Sequence, residues 1–425
     1  MGLRPPATMI PLQQIILWIA AAISTYFAIF WFLVLIDVPS EVRRKKWTTW
    51  PTLTVAIPAW NEEDCIRDTM ESVLAADYPS SKLQLIVVDN ASKDNTSIIA
   101  KQVMAEHPSR NIKLIYESRP GKGIAVNNAL AQATGTFFAT MDSDSRVFPD
   151  APKKLLSYFT ANKIAAVVPA MKVREPKTFL QKLQWYEYNV NMFYKDLMGR
   201  VDALHVIPGP FPVYRTNVLR TIGGFAEQGN LTEDLEITLR LQREQYKIVQ
   251  SMDAFVDTIT PSTWKAFYLQ RNRWFKGAFL NAFAYRKLAF NNKYGDFGMI
   301  QMPTLLISGL LALVLIGITV YSAFPPFMQA FQNLLNIRFD LWTLLTNLSW
   351  NLSVFDLDFM TLTLTACMLG ISIYIFIQAH RVVKEPLLQQ GWFSFAFFML
   401  VYYLLLGVVW AGVARDLVLG KHQRW

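Results

Sequence analysis

Apolar and polar positions change rhythm twice along the chain. Residues 10–36 carry no charged side chain over 27 positions, and as a helix they extend about 40 Å against roughly 30 Å of membrane hydrocarbon. The pattern predicts a membrane span. Residues 300–322, 359–379 and 392–414 are likewise uncharged and mostly apolar, so four spans are expected. A cleaved signal peptide is the alternative for the first, but its basic cluster (Arg43, Arg44, Lys45, Lys46) follows the apolar run instead of preceding it. A retained anchor is expected.

Between these ends the rhythm is that of alternating strands and helices. Residues 53–57, 83–88, 112–116 and 136–141 read as short buried strands, and residues 62–74, 96–107 and 123–133 as the helices between them. Such alternation predicts parallel β-α-β units, which bind ligands at the carboxyl ends of their strands. Organisation follows as an anchor (1–40), a catalytic unit (41–260), an amphipathic helix (261–295) and a trailing membrane region (296–425).

Charge sharpens this division. Residues 41–295 hold 34 of the 41 Lys and Arg and 25 of the 32 Asp and Glu, the whole net charge of +9. The positive-inside rule places the basic cluster, and with it the central unit, in the cytosol. Residues 323–358 have one basic residue, Arg338, and three acids, as suits an external loop; His380, Arg381 and Lys384 suit an inner one. Four spans put the tail outside although it carries Arg415, Lys421 and Arg424; a further embedded segment at Leu341, Trp342, Leu344 and Leu345 would reverse it. Two cysteines, Cys65 and Cys367, exclude a disulfide framework, and four scattered histidines disfavour histidine catalysis.

The polar residues of the central unit fall where strands end: Asn61 and Glu62, Asp89 and Asn90, Asp142 and Asp144. Each alone also serves as a cap or turn residue, but several on one rim of a cationic domain point to a nucleotide site. Asp142-Ser-Asp144 can hold one hard cation while leaving room for diphosphate oxygens. The turn 119–123 opens a helix and can offer Lys122 and backbone N–H groups to phosphate, without completing a Walker loop or a dinucleotide fingerprint. Asp234 lies in the first turn of a helix expected over 232–244, capped by Asn230 or Thr232. The helix dipole favours acids there whatever their chemistry.

Residues 258–295 hold seven Lys or Arg and no acid. On a helical wheel Trp264, Phe267, Tyr268, Phe275, Ala278, Phe279 and Ala282 lie within about 60° of one line, a stripe that suits a membrane-interface helix. Gln270, Arg273 and Trp274 fall on another face, open to a cytosolic cavity, while Arg271 sits on the apolar line. A lipid-surface helix with a stray tryptophan explains this segment as well. Residues 176–200, with Phe179, Leu180, Trp185, Tyr186, Tyr188 and Phe193, predict a second interfacial helix.

The ordered set VVDNASKDNT with Asp89, TMDSDS with Asp142 and Asp144, TEDLE with Asp234, and QRNRW at 270–274 resembles the membrane-integrated family 2 glycosyltransferases, the synthases of cellulose, chitin, hyaluronan and poly-N-acetylglucosamine. The resemblance covers about residues 50–280 by motif. It implies a GT-A-like, Rossmann-type α/β nucleotide-sugar domain between transmembrane helices. It further implies that Asp89, with Glu62, Lys122 and Asp142, serves the nucleotide, and that Asp142 and Asp144 hold Mg²⁺ or Mn²⁺. Asp234 would be the base, Gln270 and Trp274 would meet the acceptor, and Arg271 and Arg273 would face the diphosphate. Pro208-Gly209-Pro210-Phe211 departs from the Gly/Ser/Cys-containing acceptor loop of many relatives. The implied enzyme is inverting and metal-dependent, resides in the plasma membrane with a cytosolic active site, and extends a β-linked polysaccharide that it passes outward. Its donor is a nucleotide sugar, first of all a UDP-sugar; its other partners are a glycan or lipid-linked acceptor and membrane lipids, with no nucleic acid. A single transfer to a lipid or polyprenyl acceptor is the alternative, whereas a transporter or scaffold is disfavoured by uncharged spans.

Overall fold

The computed structural model describes residues 12–37, 44–227, 230–336, 338–339, 342 and 359–420. Arg43, Leu341, Leu344, Leu345, Lys421 and Arg424 lie outside the described residues.

An N-terminal helix α1 (Leu12–Asp37) precedes the alternating unit β1 (Leu53–Ala59), α2 (Ile66–Leu74), β2 (Leu83–Asp89), α3 (Thr96–Glu106), β3 (Asn111–Tyr116), α4 (Lys122–Gln132) and β4 (Phe137–Thr140). Then follow β5 (Ser145–Val147), α5 (Ala151–Ser157), β6 (Ile164–Val173), α6 (Phe179–Arg200), β7 (Val213–Arg215), α7 (Thr216–Thr221), α8 (Glu233–Arg243) and β8 (Lys247–Thr258). The chain continues through α9 (Trp264–Ala284), α10 (Met302–Asn336), α11 (Phe359–Val383), α12 (Trp392–Phe397) and α13 (Tyr403–Val418).

One sheet runs in the order β3-β2-β1-β4-β7-β6-β8-β5. The expected parallel half is present: β1 pairs in parallel with β2 and β4, and β2 with β3. The other half corrects a purely parallel reading, because β7 runs antiparallel to both β4 and β6, and β5 antiparallel to β8. Every residue of β1 and β2 is buried, as strands covered on both faces require. Val55 and Ile57 face one core with Met70 and Val73 of α2, while Ala56 faces the other with Ala125 and Ala129 of α4.

Helix α6 begins with a capping box between Thr178 and Gln181. Its apolar residues Leu180, Trp185, Tyr186, Tyr188 and Phe193 are buried, and Tyr186 packs on Phe376 of α11 and on Phe398, both in apolar C-terminal segments. Part of the apolar stripe of α9 packs on the C-terminal helices. Phe275 stacks on Trp410 of α13 at 4.9 Å and Phe267 meets Tyr402 at 6.2 Å, while Trp264 is exposed. Among the described residues, Phe297–Asn336 and Trp392–Val418 are long and apolar enough to cross a membrane; Ala21–Asp37 and Leu369–Val383 are shorter apolar helices.

Candidate active site

The carboxyl ends of β1, β2 and β4 form the rim of a cavity of about 560 Å³, whose opposite walls are α6, the segment 205–210, the start of α8 and one face of α9. Sharp turns at this rim put Asn61 and Ala91 in the left-handed backbone region, at φ 56° and 60°. Glu62, Lys122, Asp142, Asp144, Asp234, Gln270, Arg273 and Trp274 all line the cavity. Residues spread over more than 200 positions of sequence therefore meet in one place.

Two candidates do not. Asp89 is absent from the lining; its carboxylate accepts from the backbone N–H of Ser92 and the hydroxyl of Ser97, and so holds the turn after β2. The next residue, Asn90, lines the cavity and accepts from the N–H of Gly121 at 2.9 Å. Arg271 is fully buried and pairs with Glu187 of α6. An arginine on the apolar line of α9 meets the neighbouring helices, and burial without a counter-charge would be prohibitive.

Lysine 122 bridges two acids, Asp142 at 2.7 Å and Glu233 at 3.0 Å; although burial opposes it, these carboxylates raise its pKa. Burial, reinforced by Asp144 and Asp142, pushes the Glu62 carboxyl up to about 7. Asp144 rises to about 6 through burial and the charge of Asp142. Asp234 also rises to about 6, through burial and then Glu233, with Lys122 and Arg273 opposing. Thr232 caps α8 without a side-chain cap bond, and the Asp234 carboxylate accepts only its own neighbour's N–H, from Leu235 at 2.8 Å, among the hydrogen bonds of the described residues. Gly209 lies against Asp142: a Cβ there would stand 2.5 Å from the carboxylate.

The donor set at the end of β4 suits a hard divalent cation. Two carboxylates one residue apart, one holding its proton unusually tightly, carry charge that Mg²⁺ or Mn²⁺ would offset. Among the described residues no three His, Cys, Asp or Glu side chains form a complete protein cage; such ions commonly take one or two carboxylates plus phosphate oxygens and water.

Trp60, Lys195 and His205 are cavity residues that the sequence reading did not single out. Trp60, after β1, is 55% exposed and offers an open ring; an aromatic residue among polar strand-end residues was the available signal. Asn90 was read among the strand-end residues but was given no role of its own. Lys195 of α6, held down to about 8 by burial against the pull of Asp234, and His205, lowered to about 4 by burial and Lys195, lie outside any motif.

The family model described as "Glycosyltransferase like family 2" matches residues 51–277. The chain belongs to this family. Its central unit has the mixed α/β, GT-A-like fold. It is 27% identical over 227 residues to the poly-β-1,6-N-acetyl-D-glucosamine synthase of Staphylococcus epidermidis, covering 53% of this chain and 54% of that one. It is 26% identical over 234 residues to the β-monoglucosyldiacylglycerol synthase of Synechocystis sp., covering 54% and 48%. The chain spans about half the length of the curated relatives it matches. Among solved structures, the mannosyltransferase PcManGT of Pyrobaculum calidifontis, in complex with GDP-Man and Mn²⁺, aligns with a TM-score of 0.63 at 17% identity, over 97% of this chain and 100% of that one.

Proposed function

We propose that this enzyme transfers a sugar, with inversion and divalent-metal dependence, from a nucleotide sugar to a growing β-linked polysaccharide, acting processively and passing the chain outward. One observation carries the reading: the acids Asp142, Asp144 and Asp234, the cations Lys122 and Arg273, and the pair Gln270 and Trp274 share one cavity.

Each has chemical work to do. The acceptor hydroxyl attacks the anomeric carbon as the bond to the diphosphate breaks, and Asp234, half-buried at the cavity wall, takes the hydroxyl proton. Lys122 and Arg273 offset charge on the leaving diphosphate. A Mg²⁺ or Mn²⁺ ion bound by Asp142 and Asp144 supplies Lewis-acid stabilisation of that diphosphate. Trp60 and Asn90 flank the site where β1 and β2 end, a place suited to the nucleobase, and Trp274 offers an apolar face to an acceptor sugar. Single displacement from the face opposite the leaving group inverts the anomeric centre. A UDP-sugar is the donor tested first, and PcManGT supports the donor class through its bound GDP-Man.

The C-terminal helices beside α9 provide the route outward. The basic segment after α1 is the cytosolic end of a plasma-membrane anchor: Arg44 pairs with Asp253 at 2.6 Å, so this segment docks on the catalytic unit. A second reading, one transfer to a lipid-linked acceptor, is favoured by the apolar residues in the cavity lining, among them Met198, Val206, Leu235, Phe275 and Ala278. Incubating the purified full chain with Mg²⁺ or Mn²⁺, lipid and a panel of nucleotide sugars, then sizing the products, tests both. A ladder of products supports the polymer, a single glycolipid supports the second reading, and no transfer from any donor overturns the proposal.

A further inference from the structure

Helix α9 presents Gln270, Arg273 and Trp274 to the cavity. Between them, Arg271 points the other way and is fully buried, yet it touches two of the three. Its guanidinium donates to the Gln270 side-chain oxygen at 2.7 Å and lies 4.3 Å from the centre of the Trp274 ring. A second N–H goes to the Glu187 carboxylate, and the Tyr402 hydroxyl donates to the same carboxylate oxygen at 2.7 Å.

The chemistry of these contacts is directional. Arginine can only donate, so the Gln270 oxygen must face it, which leaves the amide NH₂ to serve the cavity as a donor. A cation over one face of Trp274 favours that ring orientation and leaves the other face to a ligand. Tyr402 ends a π-helical turn, Phe398–Tyr402, in the C-terminal span; such turns re-aim side chains relative to a regular helix. Nearby, Asn272 reaches Asp416 of α13 at 3.3 Å, and Gly412 packs so closely on Tyr268 that a Cβ would clash with its hydroxyl. Because a buried ion pair is weak evidence for stability alone, its directed contacts give the better explanation of what this one does.

We infer that Glu187, Arg271 and Tyr402 form a positioning unit that fixes the donor end of Gln270 and the free face of Trp274, and so couples acceptor binding to the C-terminal membrane helix. The inference rests on the reading of Gln270 and Trp274 as the acceptor site. It assigns Arg271 no contact with the diphosphate.

Tyr402→Phe removes one hydroxyl and keeps the ring, and Glu187→Gln keeps the side-chain shape. Both are compared with wild type in the full chain in lipid, using a short fluorescent β-linked hexose oligosaccharide as acceptor and the nucleotide sugar that the panel selects. Because the lost hydroxyl acts on the acceptor only through Gln270 and Trp274, the acceptor KM should rise by no more than an ordinary hydrogen bond is worth, roughly 3- to 10-fold, with the donor KM and donor hydrolysis by water within about twofold of wild type. In a Gln270→Ala, Trp274→Ala background Tyr402→Phe should add little. Equal changes in both KM values, or no change in folded variants when Trp274→Ala does raise the acceptor KM, would overturn the coupling. If Trp274→Ala itself leaves the acceptor KM unchanged, the acceptor-site reading falls and the inference with it.

Discussion

Replacing Asp234 by Asn separates chemistry from helix capping more cleanly than any other change in this cavity. The substitution keeps an oxygen able to accept from the Leu235 N–H, now at 2.8 Å, and it removes a charge that Glu233 already disfavours. Lys122 keeps both its partners, Asp142 and Glu233, so folding and donor binding should survive. What is lost is the proton acceptor. General-base catalysis contributes about 10²- to 10⁴-fold, or roughly 2.7 to 5.4 kcal/mol of barrier at about 1.36 kcal/mol per tenfold. The assay is nucleotide release under saturating donor and acceptor, with donor affinity measured separately by titration. In wild type the rate should fall about tenfold per pH unit below about 6, because the raised pKa leaves Asp234 protonated, and unable to accept, under those conditions. Asp234→Asn should make that limb shallower, leaving the contributions of Asp144 and Glu62, whose carboxyls are also raised. Glu233→Gln keeps the base and should retain far more turnover, its effect appearing in donor KM through Lys122. A folded Asp234→Asn enzyme working within about threefold of wild type would refute the assignment, since the smallest expected loss is about a hundredfold.

Other outcomes follow from the same geometry. Chelation should abolish transfer, and Asp144→Asn should raise the Mg²⁺ or Mn²⁺ concentration needed for half-maximal rate; full activity in excess chelator would remove the metal from the reaction. Trp274→Ala should weaken acceptor use by about 1 to 3 kcal/mol and leave the donor KM near wild type; unchanged transfer with lost membrane association would return Trp274 to a lipid-surface role. A cysteine introduced next to Lys93, in the turn after β2, should resist impermeant reagents applied to intact cells. Efficient labelling would reverse the orientation of the catalytic unit.

The parallel half of the sheet was legible because β1, β2 and β4 are buried throughout and read as mostly apolar runs, with element boundaries displaced by one to four residues; β3, expected to be buried, is instead a partly exposed edge strand. The antiparallel strands were not: β5 and β7, which flank the parallel pair β6 and β8, have three residues each, too few for any period to register. Amphipathic patterns at 176–200 and 264–282 announced buried faces without saying what buries them, and for most of α6 the answer is protein. Arg271 shows the same limit, since its partner Glu187 lies 84 residues away and only packing brings them together. Asp89 and Asn90 are adjacent, but one holds the turn and the other lines the cavity. The signal for that division was local: an Asp three residues before Ser92 commonly accepts from the turn's backbone.

Single-displacement transfer is tested most directly by following the anomeric proton of the first product by NMR while the purified enzyme consumes an α-linked nucleotide sugar in the presence of acceptor. A β-linked product, appearing at the rate at which nucleoside diphosphate is released, is the predicted result. An α-linked product, or diphosphate release that yields only free sugar at saturating acceptor, would contradict direct attack by an acceptor hydroxyl assisted by Asp234.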